Sequence, residues 1–169
     1  MAASPSNYYI GKGIVSFKKE GEATFRDLGN VPEIEFTPEI EQLEHNSSRE
    51  GVRTRDLTVV LEKSGTLRVV FEEITLENMA IALLGDIVTN SDMEEEIDIF
   101  SSNAISGQVK FVGTNEVGTK FEMFLEKVDF IPSGAIPLIS DEFLGVEITG
   151  EVAAVNGKFG YFRPIEGSA

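Results

Sequence analysis

Apolar and polar residues alternate one by one along several stretches of this chain, and that two-residue period constrains the fold more than any other feature. In "VPEIEFTPEIEQLE" (residues 31–44), Glu33, Glu35, Glu39 and Glu41 fall on odd positions with Thr37 between them, while Ile34, Phe36 and Ile40 fall on even ones. Side chains of an extended segment point alternately to opposite faces. One face of such a strand is apolar; the other carries four carboxylates, with no basic residue among them.

The same pattern or β-branched enrichment predicts strands at "YIGKGIVSF" (9–17), "TFRDLG" (24–29), "IDIF" (97–100), "ISGQVKFVG" (105–113) and "TKFEMFLEKVDFI" (119–131). "LTVVLEK" (57–63) and "TLRVVFEEI" (66–74) read as a tight hairpin about Ser64 and Gly65. "EFLGVEITGEVAAV" (142–155) and "GKFGYFRP" (157–164) read as a hairpin over Asn156-Gly157, a strong two-residue turn signal. The period changes once. "TLENMAIALLGD" (75–86) spaces Leu76, Met79, Ala80, Leu83 and Leu84 as a helix does, with Thr75 as N-cap, Ile74 and Met79 as a hydrophobic staple, and Gly85 in the left-handed position after the last turn. The expectation is a mainly β domain of about eight or nine strands: a β-sandwich or barrel of two packed sheets, flanked by one helix at about 75–85.

Residues 1–8 read as a flexible N-terminal arm, 9–164 as a single β domain and 165–169 as a C-terminal tail. "EHNSSREGVRTRD" (44–56) lacks apolar periodicity and reads as a long polar loop, and "DIVTNSDMEEE" (86–96) as a linker of low structure.

Charge narrows the function. The chain of 169 residues has 29 acidic and 14 basic residues, a formal net charge of -15. Such a chain does not hold nucleic acid by neutralising phosphates, nor an anionic membrane surface. Cysteine is absent, which removes disulfides, thiolate metal sites and cysteine nucleophiles. The first residues lack a basic segment followed by an apolar core, and no run of 18 apolar residues occurs, so neither a secretory signal nor a membrane-spanning helix is expected.

Catalytic and ligand signals are weak. His45, the single histidine, sits in the polar segment with no second histidine or cysteine to share a metal. "GTNEVGTK" (113–120) has the glycine spacing of a phosphate loop, but Thr119 precedes Lys120 and the segment joins two strands, so it reads as a hairpin turn. Asp92, Glu94, Glu95, Glu96 and Asp98 cluster oxygens that calcium favours, without the spacing or glycine of an EF-hand loop; a solvated acidic loop is the plainer reading. Asn46-Ser47-Ser48 matches a glycosylation acceptor, relevant only in a secreted eukaryotic protein. Carboxylates two residues apart on one strand face are about 6–7 Å apart, a separation compatible with glycoside hydrolysis, yet the chain has no tryptophan and three tyrosines to build a sugar platform. No cofactor, metal or catalytic residue is expected.

Three runs in order, "DLGNVPEIEFTPEIE", "HNSSREGVRTRDLTVVLEKSGTLR" and "ITLENMAIALLG", resemble the tail tube (major tail) proteins of long-tailed, siphovirus-type bacteriophages over residues 9–85; later strands agree in pattern. The resemblance implies a non-enzymatic virion protein assembled in the host cytoplasm. Its subunits form hexameric rings that stack into a tube, in company with tail tip or initiator, tape measure and tail terminator proteins. The viral DNA passes through without specific binding. Under it, Glu33, Glu35, Glu39 and Glu41 line the channel and repel phosphates. Glu44, Arg49, Glu50, Arg53, Arg55 and Asp56 belong to a loop that contacts the neighbouring ring. A tube subunit of a contractile tail or injection device is the nearest alternative. A β-sandwich module for carbohydrate or metal is the rival from another class, and an acidic glycoside hydrolase a third.

Overall fold

The computed structural model describes residues 4–49 and 51–165. In chain order its elements are a 3₁₀ turn (Pro5–Asn7), β1 (Gly13–Lys19), β2 (Arg26–Asp27), β3 (Glu33–Ser47), β4 (Thr54–Phe71), α1 (Leu76–Ala82), β5 (Asp86–Thr89), β6 (Glu95–Asp98), β7 (Ile105–Gly113), β8 (Phe121–Pro132), β9 (Val146–Ala153) and β10 (Gly160–Pro164). The fold is mainly β, with two sheets and a single α-helix among the described residues, as the two-residue period requires. The large sheet runs β2-β1-β7-β8-β9-β4-β3, with β10 also paired to β8; β5 and β6 form a separate two-stranded sheet. Every pairing is antiparallel.

The large sheet coils onto itself. Strands β1 and β3 are remote in strand order, yet Val15 and Gly13 share one cleft with Ile34 and Phe36. The inner face between the two halves holds the core: Val15 and Phe17, Leu67 to Phe71 on alternate positions, Val109, Val128, Phe130 and Ile148, all essentially inaccessible to water. Phe17 meets Phe130 edge to face at 5.5 Å, the geometry aromatic quadrupoles favour. The helix closes one side with Ile81 and Ala82.

Helix α1 begins as expected, with the Thr75 hydroxyl accepting from the Asn78 amide at 3.2 Å. Its end differs. The left-handed residue is Leu84 (φ 49), not Gly85. Gly85 serves a close approach instead, since a Cβ there would lie 2.4 Å from Ile97 Cγ2 and 2.7 Å from the Asp98 carbonyl oxygen.

Several expected boundaries shift for physical reasons. Ser64 and Gly65 do not turn. β4 runs straight through them, with Ser64 opposite Glu39 and Gly65 opposite both Pro38 and Val152. Glycine is needed there because the Phe36 ring lies over it, 2.6 Å from where a Cβ would stand. The polar loop expected at 44–56 is mostly strand: β3 continues to Ser47 and β4 starts at Thr54, which leaves a connection of 48–53. Backbone pairing between the two long strands carries polar residues that alternation alone assigns to a loop. Similarly, 86–96 is a hairpin rather than a linker. The Asn90 carboxamide oxygen accepts from the Asp92 and Glu94 amides, both at 3.0 Å, and shapes its turn. Asn156 (φ 52) and Gly157 (φ 79) do form the expected turn, bridged by Val155 and Lys158. Strands β9 and β10 then separate, each pairing with a different half of β8. Within the N-terminal arm, Pro5–Asn7 make the 3₁₀ turn; residues 1–3 and, in the tail, 166–169 lie outside the described residues.

Candidate functional site

The acidic strand does what its alternation predicts, and its neighbours extend the result. Residues directly opposite in an antiparallel pair share a face. On β3 the odd positions Glu33, Glu35, Thr37, Glu39 and Glu41 face the same way as Val70, Arg68, Thr66, Ser64 and Glu62 of β4. The next pairing adds Glu147, Thr149 and Glu151 of β9, and the one after adds Lys127, Asp129 and Ile131 of β8. One outer face of four adjacent strands therefore presents eight carboxylates (Glu33, Glu35, Glu39, Glu41, Glu62, Asp129, Glu147, Glu151) and two cations (Arg68 and Lys127).

Arg68 organises one end of this face. Its guanidinium lies 2.7 Å from Glu33, 3.3 Å from Glu35 and 2.7 Å from Glu147, so one side chain ties β3, β4 and β9 together across the sheet. The hydrogen bonds Arg68 donates to Glu33, then to Glu147, raise its pKa above an already high ordinary value. In return the Arg68 hydrogen bond lowers the pKa of Glu147 from its ordinary 4.5. Lys127 is 3.7 Å from Asp129. The other end has no such relief. Among the described residues Glu39 receives only the Thr66 hydroxyl, at 3.3 Å, and Glu41 stands directly opposite Glu62. Like charges so placed are destabilising.

Beyond Gly65, β4 leaves β9, and the outer halves of β3 and β4 continue as a two-stranded ribbon. Two bulges bend it, at Glu41/Gln42 and His45/Asn46. Both of its faces expose apolar residues: Ile40, Leu43, Leu57, Val59, Val60 and Leu61 are each 43–59% exposed. Glu44 and Arg55 form a 2.5 Å ion pair, and His45 Nδ1 lies 2.6 Å from Asp56. Arg49 and Arg53 sit on the turn at the ribbon's end, while Glu50 lies outside the described residues.

Thus Glu33, Glu35, Glu39 and Glu41 share one face, and Glu44, Arg55 and Asp56 share one ribbon, but the two sets are not one site. Sequence reasoning missed Arg68, Glu62, Asp129, Glu147 and Glu151. "VEITGEV" alternates as clearly as the acidic strand does; what it lacks is any sign of which strand stands beside it. Among the described residues, no three His, Asp or Glu side chains converge as metal ligands would. Among the described residues no helix is long and apolar enough to cross a membrane.

The profile of a family described as "Protein of unknown function UCP028589" matches residues 8–94, about half of the chain. No curated protein matches it. Among solved structures, a chain of the anti-feeding prophage (AFP) baseplate, determined by cryo-electron microscopy and 6-fold symmetrised, is similar in fold. It is 12% identical, with a TM-score of 0.53, over 98% of this chain and 97% of that one.

Proposed function

Since the chain belongs to the family described as Protein of unknown function UCP028589, we propose from its geometry that it is a structural subunit of a phage tail or related injection assembly, and specifically a tube subunit. The observation that carries this reading is the acidic face that spans four adjacent strands of one sheet. A single subunit gains nothing from Glu41 opposite Glu62. A ring of subunits with these faces inward is a channel wall that DNA slides past, because carboxylates repel phosphates within about 8 Å at physiological salt. The apolar ribbon and the unpaired edges of its two strands supply self-association, which offsets the repulsion. The fold shared with a chain of a 6-fold symmetrised baseplate supports six copies per ring.

Assembly beside tail tip, tape measure and terminator proteins, in a siphovirus-type tail, is the finer form of the proposal. The contractile-tail or injection-device alternative draws on the same fold likeness. Negative-stain electron microscopy of the purified chain at rising concentration tests the reading. Uniform hollow tubes are the expected outcome. Single rings that never stack favour a baseplate position over a tube, and discrete monomers at every concentration, with or without tail initiator proteins, overturn the proposal.

A further inference from the structure

The segment between β8 and β9 presents the most exposed apolar side chains of the described residues: Leu138 at 88%, Ile139 at 98% and Phe143 at 98%. It is a built loop. Ile136 and Leu144 pack against the core at its two ends, and the Ser140 hydroxyl accepts from the Glu142 amide at 3.0 Å. Grouped exposed hydrophobes of this size mark interaction sites. Neither the acidic face nor the ribbon accounts for them.

Elsewhere the sheet leaves an open apolar cleft of about 400 Å³ where its two halves meet, lined by Tyr9, Val31, Ile34, Phe36, Met123 and Phe162. Of the charged residues that line it, Glu33 and Glu35 alternate with Ile34 and Phe36 along β3, so their side chains lie on the opposite, acidic face, where they share Arg68 with Glu147; that leaves Lys12. Among the described residues the Lys12 ammonium makes no ion pair, and neither do the Asp141 and Glu142 carboxylates that flank the exposed loop side chains. The loop is apolar with unpaired anions beside it. The cleft is apolar with an unpaired cation beside it.

We propose that the 136–144 loop of one copy docks in this cleft of a second copy, with Ile139 and Phe143 inserted and Asp141 and Glu142 beside Lys12. Loop and cleft are different surfaces, so the contact is heterologous and propagates into a ring or a filament rather than closing as a two-fold dimer. A single phenylalanine covers about 150–250 Å². Three exposed side chains therefore bury less than the roughly 800 Å² per partner of a standard interface, and the contact holds only in cooperation with others. The proposal rests on the self-assembly reading above and names one of its contacts.

The test combines crosslinking with a charge exchange. A photoreactive benzoylphenylalanine at position 143 should crosslink to the Phe36, Met123 and Phe162 region of another copy. Ile139→Asp with Phe143→Asp, at surface positions that leave folding intact, should raise the concentration needed for assembly at least about tenfold. Lys12→Glu alone and Asp141→Lys with Glu142→Lys alone should each weaken assembly, and all three substitutions together should restore it. If the unaltered chain assembles and the Asp variants assemble equally well, the loop contact is refuted and the assembly reading stands. If crosslinked pairs form but no ring or tube appears, the contact stands and the tube reading falls. A chain that never self-associates overturns both.

Discussion

Asn78 is the fully buried polar side chain that fixes helix α1 to the rest of the molecule, and its replacement by alanine has a calculable effect. Arginine only donates, so the Asn78 carboxamide oxygen faces Arg26, at 2.6 Å. Carbonyls only accept, so the carboxamide nitrogen donates to Leu28 O at 3.0 Å and to Glu73 O at 2.8 Å. Asn78→Ala orphans both carbonyls and frees the guanidinium. A buried acceptor without a partner costs about 1–2 kcal/mol, the part-buried one less, and the partly wet Arg26 bond contributes about 1 kcal/mol. The sum is about 3 kcal/mol, which for a domain of this length lowers the melting temperature by about 6–12 °C. The Thr75 cap uses the backbone of residue 78 and survives, so far-UV dichroism at low temperature should be unchanged. Asn78→Asp is the control. It keeps an acceptor for Arg26 but turns an oxygen toward two carbonyl oxygens, and at neutral pH should melt no higher than the alanine variant. Differential scanning calorimetry measures both. A melting temperature for Asn78→Ala within about 2 °C of the unaltered chain refutes the reasoning.

Replacing Glu33, Glu35, Glu39 and Glu41 together by glutamine should lower the salt needed for assembly, as read by light scattering against ionic strength, and should slow DNA release from tails that carry the variant; unchanged release kinetics would remove these residues from the channel wall. Arg68→Gln should destabilise the subunit most at low salt, because Glu33, Glu35 and Glu147 lose their shared cation. Its acid response follows from the sign of the shift. The lowered pKa of Glu147 contributes stability that is present above its ordinary 4.5 and is lost as pH falls through the folded value, so Arg68→Gln should show a smaller loss of thermal stability on acidification through that range. Asp86, lowered from 3.8 by the Lys19 hydrogen bond, and Glu122, lowered from 4.5 by the Tyr161 hydroxyl, leave a residual acid sensitivity in that variant. Gly107→Ala should unfold at a distinctly lower denaturant midpoint, since its Cβ would stand 2.2 Å from the Lys18 carbonyl oxygen and 2.6 Å from the Phe17 ring.

What the residues determine alone is local and periodic. Alternation settles that the chain is mainly β and that 33–41 has an acidic face, and the change of period after Thr75 that a capped helix begins there, though it ends at Ala82 and not at 85, because each depends on bond geometry a few residues long. The Asn156-Gly157 turn is legible for the same reason: both positions need a positive φ that those residues tolerate. Strand adjacency is another matter. That Arg68 reaches Glu33 and Glu147, that Glu62 meets Glu41, and that Glu151 joins the same face follow from register between segments tens of residues apart. Ser64-Gly65 looks like a turn in isolation and is instead where a phenylalanine ring crosses a continuous strand. The polar stretch at 44–56 looks like a loop and is mostly ribbon, since cross-strand hydrogen bonds form between backbones whatever the side chains are. The acidic character of a strand is a property of its sequence. An acidic surface belongs to the sheet, because only long-range pairing decides which carboxylates stand side by side.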